Sequence, residues 1–407
     1  MPVITAIETV IPADIMPNLL LVRVHTDAGW VGCGETYYTP HAIEALIHDW
    51  MAERLLGADP LAIESHWRFL YERCSAFGYP GAELRALSAL DVALWDILGQ
   101  ASGQPIYRLL GGPVKDRIPV YNTCGGPSYG ASINDAAPPR HPGWPGYGDI
   151  GERGSLQDNW ASLNAPAELA RELVAEGYPA MKLWPFDRFA HANGGLHISW
   201  KDIEEGMKPL RQIRDAVGMD IEIAIEGHGF FHLPAALRIA EALREIKPIW
   251  LEDVVRLDNV QTIADFRHQS GLPVSVSEML LGRREILPIL QAQAADYVMI
   301  DPTWSGGISE SRRMVDLAQS FNVPVTIHDC TGPITLFAGL HLAAASTNVV
   351  FQESVRAHIR TFYNQLVDRL PDITNGTAAL PGGAGLGVRF VDEVFAPGQR
   401  SFRRSEP

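Results

Sequence analysis

The chain has 407 residues, of which 46% are hydrophobic and 20% charged, with a formal net charge of −15. That length and composition describe a fully folding globular protein with one large domain and a smaller one, and they exclude the disordered class. The negative charge argues against nucleic acid or an anionic membrane surface as the main partner, because phosphate-dense surfaces attract Lys and Arg.

The N-terminal stretch alternates apolar and polar residues, "ITAIETVIP" and then "LLLVRVHTDAGWVGCGE" with Asp27-Ala28-Gly29 between. It predicts a small antiparallel sheet with a hairpin turn. From about Pro40 to Leu110 the period becomes helical, as in "AELRALSALDVALWDILGQ". Residues 1–115 therefore read as an α+β unit of their own.

From 116 to 363 short Val- and Ile-rich runs alternate with amphipathic stretches that end in Gly or Pro. The strands are "IPVYNT", "AMKLWPF", "IEIAIEG", "IWLEDV", "VSVSEM", "YVMIDP", "VTIHD" and "VVFQES"; the helices include "PAELARELVAEGY", "LPAALRIAEALREI", "RREILPILQAQA" and "SESRRMVDLAQSFN". Continuous apolar strands joined by helical crossovers are parallel strands covered by helices, and their number suits a (β/α)8 barrel of the TIM type. Two segments break the rhythm, 127–165 and 187–200. Both follow barrel strands and are expected over the C-terminal mouth. The tail, 364–407, leaves the barrel pattern and is expected to return to the first domain.

No apolar run reaches the roughly 18–20 residues of a membrane span, and the start has no basic stretch ahead of its apolar one. A cytoplasmic protein is the expectation. Cys33, Cys74, Cys124 and Cys330 form no CxxC pair and are scattered along the chain, so they read as reduced core thiols.

Glu226, Glu252 and Glu278 close the third, fourth and fifth strands at even intervals of 26 residues, one βα unit each. A barrel would bring these three carboxylates together at its mouth, where they repel unless a cation holds them. A hard, oxygen-seeking ion is implied, and Mg2+ suits best because it takes a few carboxylates and leaves positions for other oxygens. Asp301 closes strand six and His328 strand seven. Neighbouring strand ends can bring them into contact, and an Asp that orients a His makes it a better base.

With these residues the chain resembles the enolase superfamily, specifically the mandelate racemase subgroup and its acid-sugar dehydratases. The likeness spans a capping domain, a modified barrel and a tail that returns to the cap, and "ALSALDVALWDILGQASGQPIYRLLGG" resembles the family's cap-to-barrel junction. It implies Glu226, Glu252 and Glu278 as ligands of Mg2+ and His328–Asp301 as the dyad that takes a proton. Glu353 in "FQES" matches the acid that hydrogen-bonds the substrate carboxylate. His228, two residues after the first ligand, matches the general acid. Lys182 is kept from the racemases' Lys-x-Lys, but Trp184 stands where the second lysine would be, which speaks against a two-base racemase. Lys182 either neutralises a substrate carboxylate or caps its strand.

The resemblance implies a Mg2+-dependent sugar-acid dehydratase acting on an aldonate or aldarate, in a homo-oligomer. The C2 proton is abstracted to a metal-stabilised enediolate, and loss of the C3 hydroxyl gives a 2-keto-3-deoxy acid. A cycloisomerase or epimerase by the same proton abstraction is the nearer alternative. A serine hydrolase built on Ser128 in "GPSYG", or a metal-binding protein without chemistry, are the remote ones. The cap loops around Tyr37 and Tyr79 are expected to shape the pocket.

Overall fold

The computed structural model describes residues 1–130, 151–190, 193–396 and 400–407. The first three strands, β1 (Ile4–Ile11), β2 (Leu19–Thr26) and β3 (Val31–Tyr37), form an antiparallel meander. The helix Ala82–Ser102 lies directly on β3. Gly32 and Gly34 permit that approach: a Cβ at Gly34 would fall 2.0 Å from the Ala89 carbonyl oxygen.

Eight parallel strands follow and close into a barrel. They are β4 (Arg117–Thr123), β5 (Ala180–Leu183), β6 (Glu222–Glu226), β7 (Trp250–Glu252), β8 (Val274–Val276), β9 (Tyr297–Ile300), β10 (Val325–Ile327) and β11 (Val349–Ser354). Each pairs with the next, and β11 pairs back onto β4, Gln352 opposite Val120. Several run shorter than their apolar runs suggest. Strand β5 stops at Leu183 because Pro185 has no N–H to continue the ladder, and β8 stops two residues before Glu278.

A period of two organises the barrel interior. Tyr121, Ala180, Ala224, Trp250 and Met299, from five different strands, pack into one buried cluster with Phe351 against it. The residues two positions further along the chain are Thr123, Lys182, Glu226, Glu252, Asp301 and Glu353. A hydrocarbon floor thus lies one pleat beneath a ring of polar and ionisable groups, all buried.

The tail contributes to both parts. Strands β12 (Ile373–Thr374) and β13 (Thr377–Ala379) extend from β4, and β14 (Ser401–Ser405) pairs antiparallel with β1. Cap and barrel are also tied by side chains. Trp67 Nε1 donates to the Gly306 carbonyl at 2.7 Å, and Glu35 accepts the Thr335 N–H at 2.6 Å in the first turn of the helix Pro333–Ala344.

Of the two segments that break the barrel rhythm, residues 131–150 and 191–192 lie outside the described residues. The first segment also holds a helix, Asp158–Asn164, in a stretch that reads as irregular because Gly and Asn surround it. Its purpose is visible in the network around Arg356, which is 1% exposed. The guanidinium binds Asp158 twice, at 2.7 and 2.8 Å, and reaches Glu172 and Glu176 at 2.9 and 2.7 Å. Arg356→Met takes the charge partner from buried Asp158, leaving it the Asn122 hydrogen bond at 3.0 Å, and is expected to cost about 3–5 kcal/mol, read as a lowered urea midpoint. Among the described residues no helix is long and apolar enough to cross a membrane.

Candidate active site

The ring above the floor opens into a pocket on the cap side. Lys182, Glu226, His228, Glu278 and His328 line it from the barrel. Tyr37 and Tyr38 wall it from the cap, with Tyr129, Trp304 and Cys330 between. Tyr37 thus lies where the sequence places it. Tyr79 does not: its hydroxyl donates to the Leu281 carbonyl at 2.6 Å, outside the pocket wall.

Lys182 sits at the centre of the acids. Its Nζ lies 2.6 Å from Glu252, 2.9 Å from Glu353 and 3.3 Å from Glu226. Glu252 is fully buried behind it, with its other oxygen accepting from Trp250 Nε1 of the floor at 2.9 Å. Glu226 Oε1 accepts the backbone N–H groups of Gly227 and His228 at 3.0 and 2.8 Å. His228 takes a left-handed turn, φ 47°, as does Asp253 after Glu252, φ 44°.

The electrostatics follow from burial and like charge. Burial, with Glu226 adding, holds the Glu252 carboxyl well above the usual range. Burial raises Glu278 too, and Glu252 adds to it while His328 pulls the other way. Glu353 differs. Burial would raise it, but Lys182, His328 and the hydrogen bond from Thr123 bring its pKa down to about 2. It also accepts the Asp329 N–H at 3.2 Å. Both its oxygens are engaged as acceptors, so in this state it has no proton to donate to a substrate carboxylate.

His328 Nδ1 lies 2.8 Å from Asp301 Oδ2, and Nε2 lies 3.7 Å from Glu353. The dyad expected from neighbouring strand ends is therefore in contact. Burial alone would depress the imidazole, but Glu353, Glu278 and the Asp301 hydrogen bond keep its pKa well above normal. Asp301 is itself fixed by Thr303, through N–H and hydroxyl at 2.7 and 2.8 Å, and by Thr331 at 3.0 Å.

Asp187, Asp253 and Cys330 have no part in the sequence reading of the site. Asp187 lies in the turn after β5 and contacts His228 Nδ1 at 2.5 Å; the neighbour rule that pairs Asp301 with His328 also applies to β5 and β6. Asp253 is the second acid of "WLED". Cys330 is a partly exposed thiol of the pocket wall, whereas Cys33, Cys74 and Cys124 are buried. Burial and then Glu353 push its pKa up to about 12. Ser128 stands in a turn, and the segment after it, on which a nucleophile elbow depends, lies outside the described residues.

Among the described residues, one group of three metal-ligating side chains has all its ligand atoms within 4.8 Å of one another: His328, Cys330 and Glu353. Of the three strand-end glutamates, Glu226 and Glu252 stand instead against the Lys182 ammonium. Their donor chemistry nevertheless fits a hard dication. They are all carboxylates, and Glu278 Oε2 and the neighbouring Asp253 Oδ1 are buried with no hydrogen-bond partner among the described residues. Such oxygens are costly to hold unless something binds them.

A cap of sheet and helices over a (β/α)8 barrel, with acids and histidines at its strand ends, is the architecture of an enolase-type protein. Residues 1–111 match the family described as "Mandelate racemase / muconate lactonizing enzyme, N-terminal domain", and residues 165–394 match "Enolase C-terminal domain-like". The chain belongs to this family of the enolase superfamily, in its mandelate racemase subgroup. It is 39% identical, over the whole of both chains and with a TM-score of 0.86, to an enolase protein from the environmental genome of the Sargasso Sea. It is 28% identical to a D-galactonate dehydratase of Ralstonia nicotianae, covering 95% of this chain and 92% of that one. To an arabinonate dehydratase of Saccharolobus solfataricus it is 27% identical, covering 93% and 90%.

Proposed function

We propose that the protein is a Mg2+-dependent sugar-acid dehydratase. It converts an aldonate or aldarate to a 2-keto-3-deoxy acid. The substrate class is suggested by the named activities of the relatives. The observation that carries the chemistry is the Asp301-bound His328 in a pocket that also holds His228, above a ring of carboxylates.

Glu226, Glu252 and Glu278 would hold the metal. When bound, Mg2+ supplies the positive charge that offsets these acids and lowers the cost of negative charge on the substrate's carboxylate oxygens. His328, which lines the pocket, accepts the C2 proton on Nε2. Asp301 keeps Nδ1 occupied, so the proton can go only to Nε2. Lys182, an acid-bound ammonium at the pocket floor, receives the substrate carboxylate and its growing charge as the C2 proton leaves. This assignment gives Lys182 the contact that the resemblance gives to Glu353, because both Glu353 oxygens already accept hydrogen bonds from Thr123 and the Asp329 N–H. His228 then protonates the departing C3 hydroxyl. Trp184, stacked on Tyr129 at 5.1 Å, fills the place of a second lysine base.

Chelation is the direct test. Protein freed of metal with EDTA is expected to lose turnover to background, and Mg2+ to restore it. Mg2+ at a hundredfold excess over Kd should also stabilise the fold by about 2.7 kcal/mol. Turnover that is indifferent to EDTA would end the proposal. A screen of sugar acids with product NMR identifies the substrate and separates dehydration from cycloisomerisation.

A further inference from the structure

His228 is fixed at the backbone by its left-handed turn and by the hydrogen bonds of its own N–H and that of Gly227 to Glu226. These fix where the imidazole leaves the chain, not how the ring is rotated. Asp187 holds the ring, its Oδ2 lying 2.5 Å from Nδ1, both side chains being nearly closed to solvent at 6% and 7% exposed. Trp184 stands edge-on to the ring at 5.6 Å. The other oxygen of Asp187 is buried and has no hydrogen-bond partner among the described residues.

We propose that Asp187 is the positioning residue of the general acid: it accepts the Nδ1–H of His228 and so leaves Nε2 as the nitrogen that gives its proton to the leaving group. The inference rests on the dehydratase reading. A carboxylate can only accept, so Nδ1 keeps its hydrogen before and after the transfer. In the step itself the electron pair left at C2 forms the C2–C3 π bond. The C3–O bond breaks with its pair going to oxygen, the Nε2 proton joins that oxygen, and water leaves. Nε2 regains a proton from solvent. An asparagine at 187 can turn its NH2 to Nδ1, which reverses that hydrogen bond and no longer holds the hydrogen on Nδ1.

The test uses the full-length Mg2+-loaded enzyme with Asp187→Asn and Asp187→Glu. Dehydration by Asp187→Asn is expected to fall about 10²–10³-fold in kcat with KM changed less than about threefold. Deuterium wash-in at C2 from D2O should stay near the wild-type rate, because His328 and Asp301 are untouched. Fluoride release from a 3-deoxy-3-fluoro analogue, which needs no proton on the leaving group, should also persist. Asp187→Glu, which keeps an acceptor, should recover part of the lost rate. In 15N-histidine spectra a downfield Nδ1–H resonance, assigned by its loss in His228→Gln, should vanish in Asp187→Asn. Unchanged dehydration overturns the inference, and so does a parallel fall of wash-in and fluoride release, which would make Asp187 a prop of the pocket. If wild-type protein dehydrates no sugar acid, the dehydratase reading falls and takes this one with it. The resonance still reports whether the pairing exists.

Discussion

His328→Ala is expected to abolish both deuterium wash-in at C2 and turnover, each by about 10⁴-fold, the upper end of what a positioned base supplies. The expectation is this large because the α-proton of a carboxylate is weakly acidic, and among the described residues no second base is aimed at the same position: Lys182 is tied to three acids and Trp184 is apolar. The variant should fold. Asp301 keeps three hydrogen bonds from Thr303 and Thr331 when the imidazole is gone. What is lost is the ring's contact with Trp304, 5.0 Å between centroids, and its 3.7 Å approach to Glu353, which keeps Lys182 and the hydrogen bonds from Thr123 and the Asp329 N–H. The measurement is NMR of C2 in D2O alongside a keto-acid assay. Residual wash-in near the wild-type rate would move the base elsewhere.

His228→Ala is expected to divide the two readouts. Wash-in at C2 should continue, while dehydration falls by about 10²–10⁴-fold. The division follows from the geometry. The two histidines come from different strands and each has its own aspartate, Asp301 at 2.8 Å and Asp187 at 2.5 Å. Glu226 keeps its backbone hydrogen bonds, since they come from N–H groups that alanine retains. The measured quantity is the ratio of wash-in to product formation. If that ratio is unchanged, His228 is not the acid.

Much of this was legible because a strand has a period of two and a barrel has one chemical end. The eight apolar runs carry the staves, and an acid or histidine at the close of a run stands at the mouth. Glu226 and Glu252 are strand-end residues; Asp301 and His328 come one position later, and Glu278 two. The rest depended on contacts that no local pattern records. Asp187 sits four residues beyond its strand, past Pro185, where the alternation no longer says which way a side chain points. Lys182 reads as a strand cap or a substrate contact, and only closure of the barrel brings it between Glu226, Glu252 and Glu353. Cys330 carries no mark that separates it from the core thiols. Tyr79 sits in a cap loop like Tyr37, but its hydroxyl finds Leu281 instead.

The pleat that sets the charged ring on a hydrocarbon floor also limits how this scaffold can be re-engineered. Adding or deleting one residue in a stave ahead of the ring would exchange the two faces, turning a carboxylate such as Glu226 out among the helices and Ile225 in towards the lumen. Length can change freely only in the connecting helices and loops, or in steps of two. New specificities are therefore easier to graft around the rim, from the cap residues Tyr37 and Tyr38 outward, than to cut into the staves themselves.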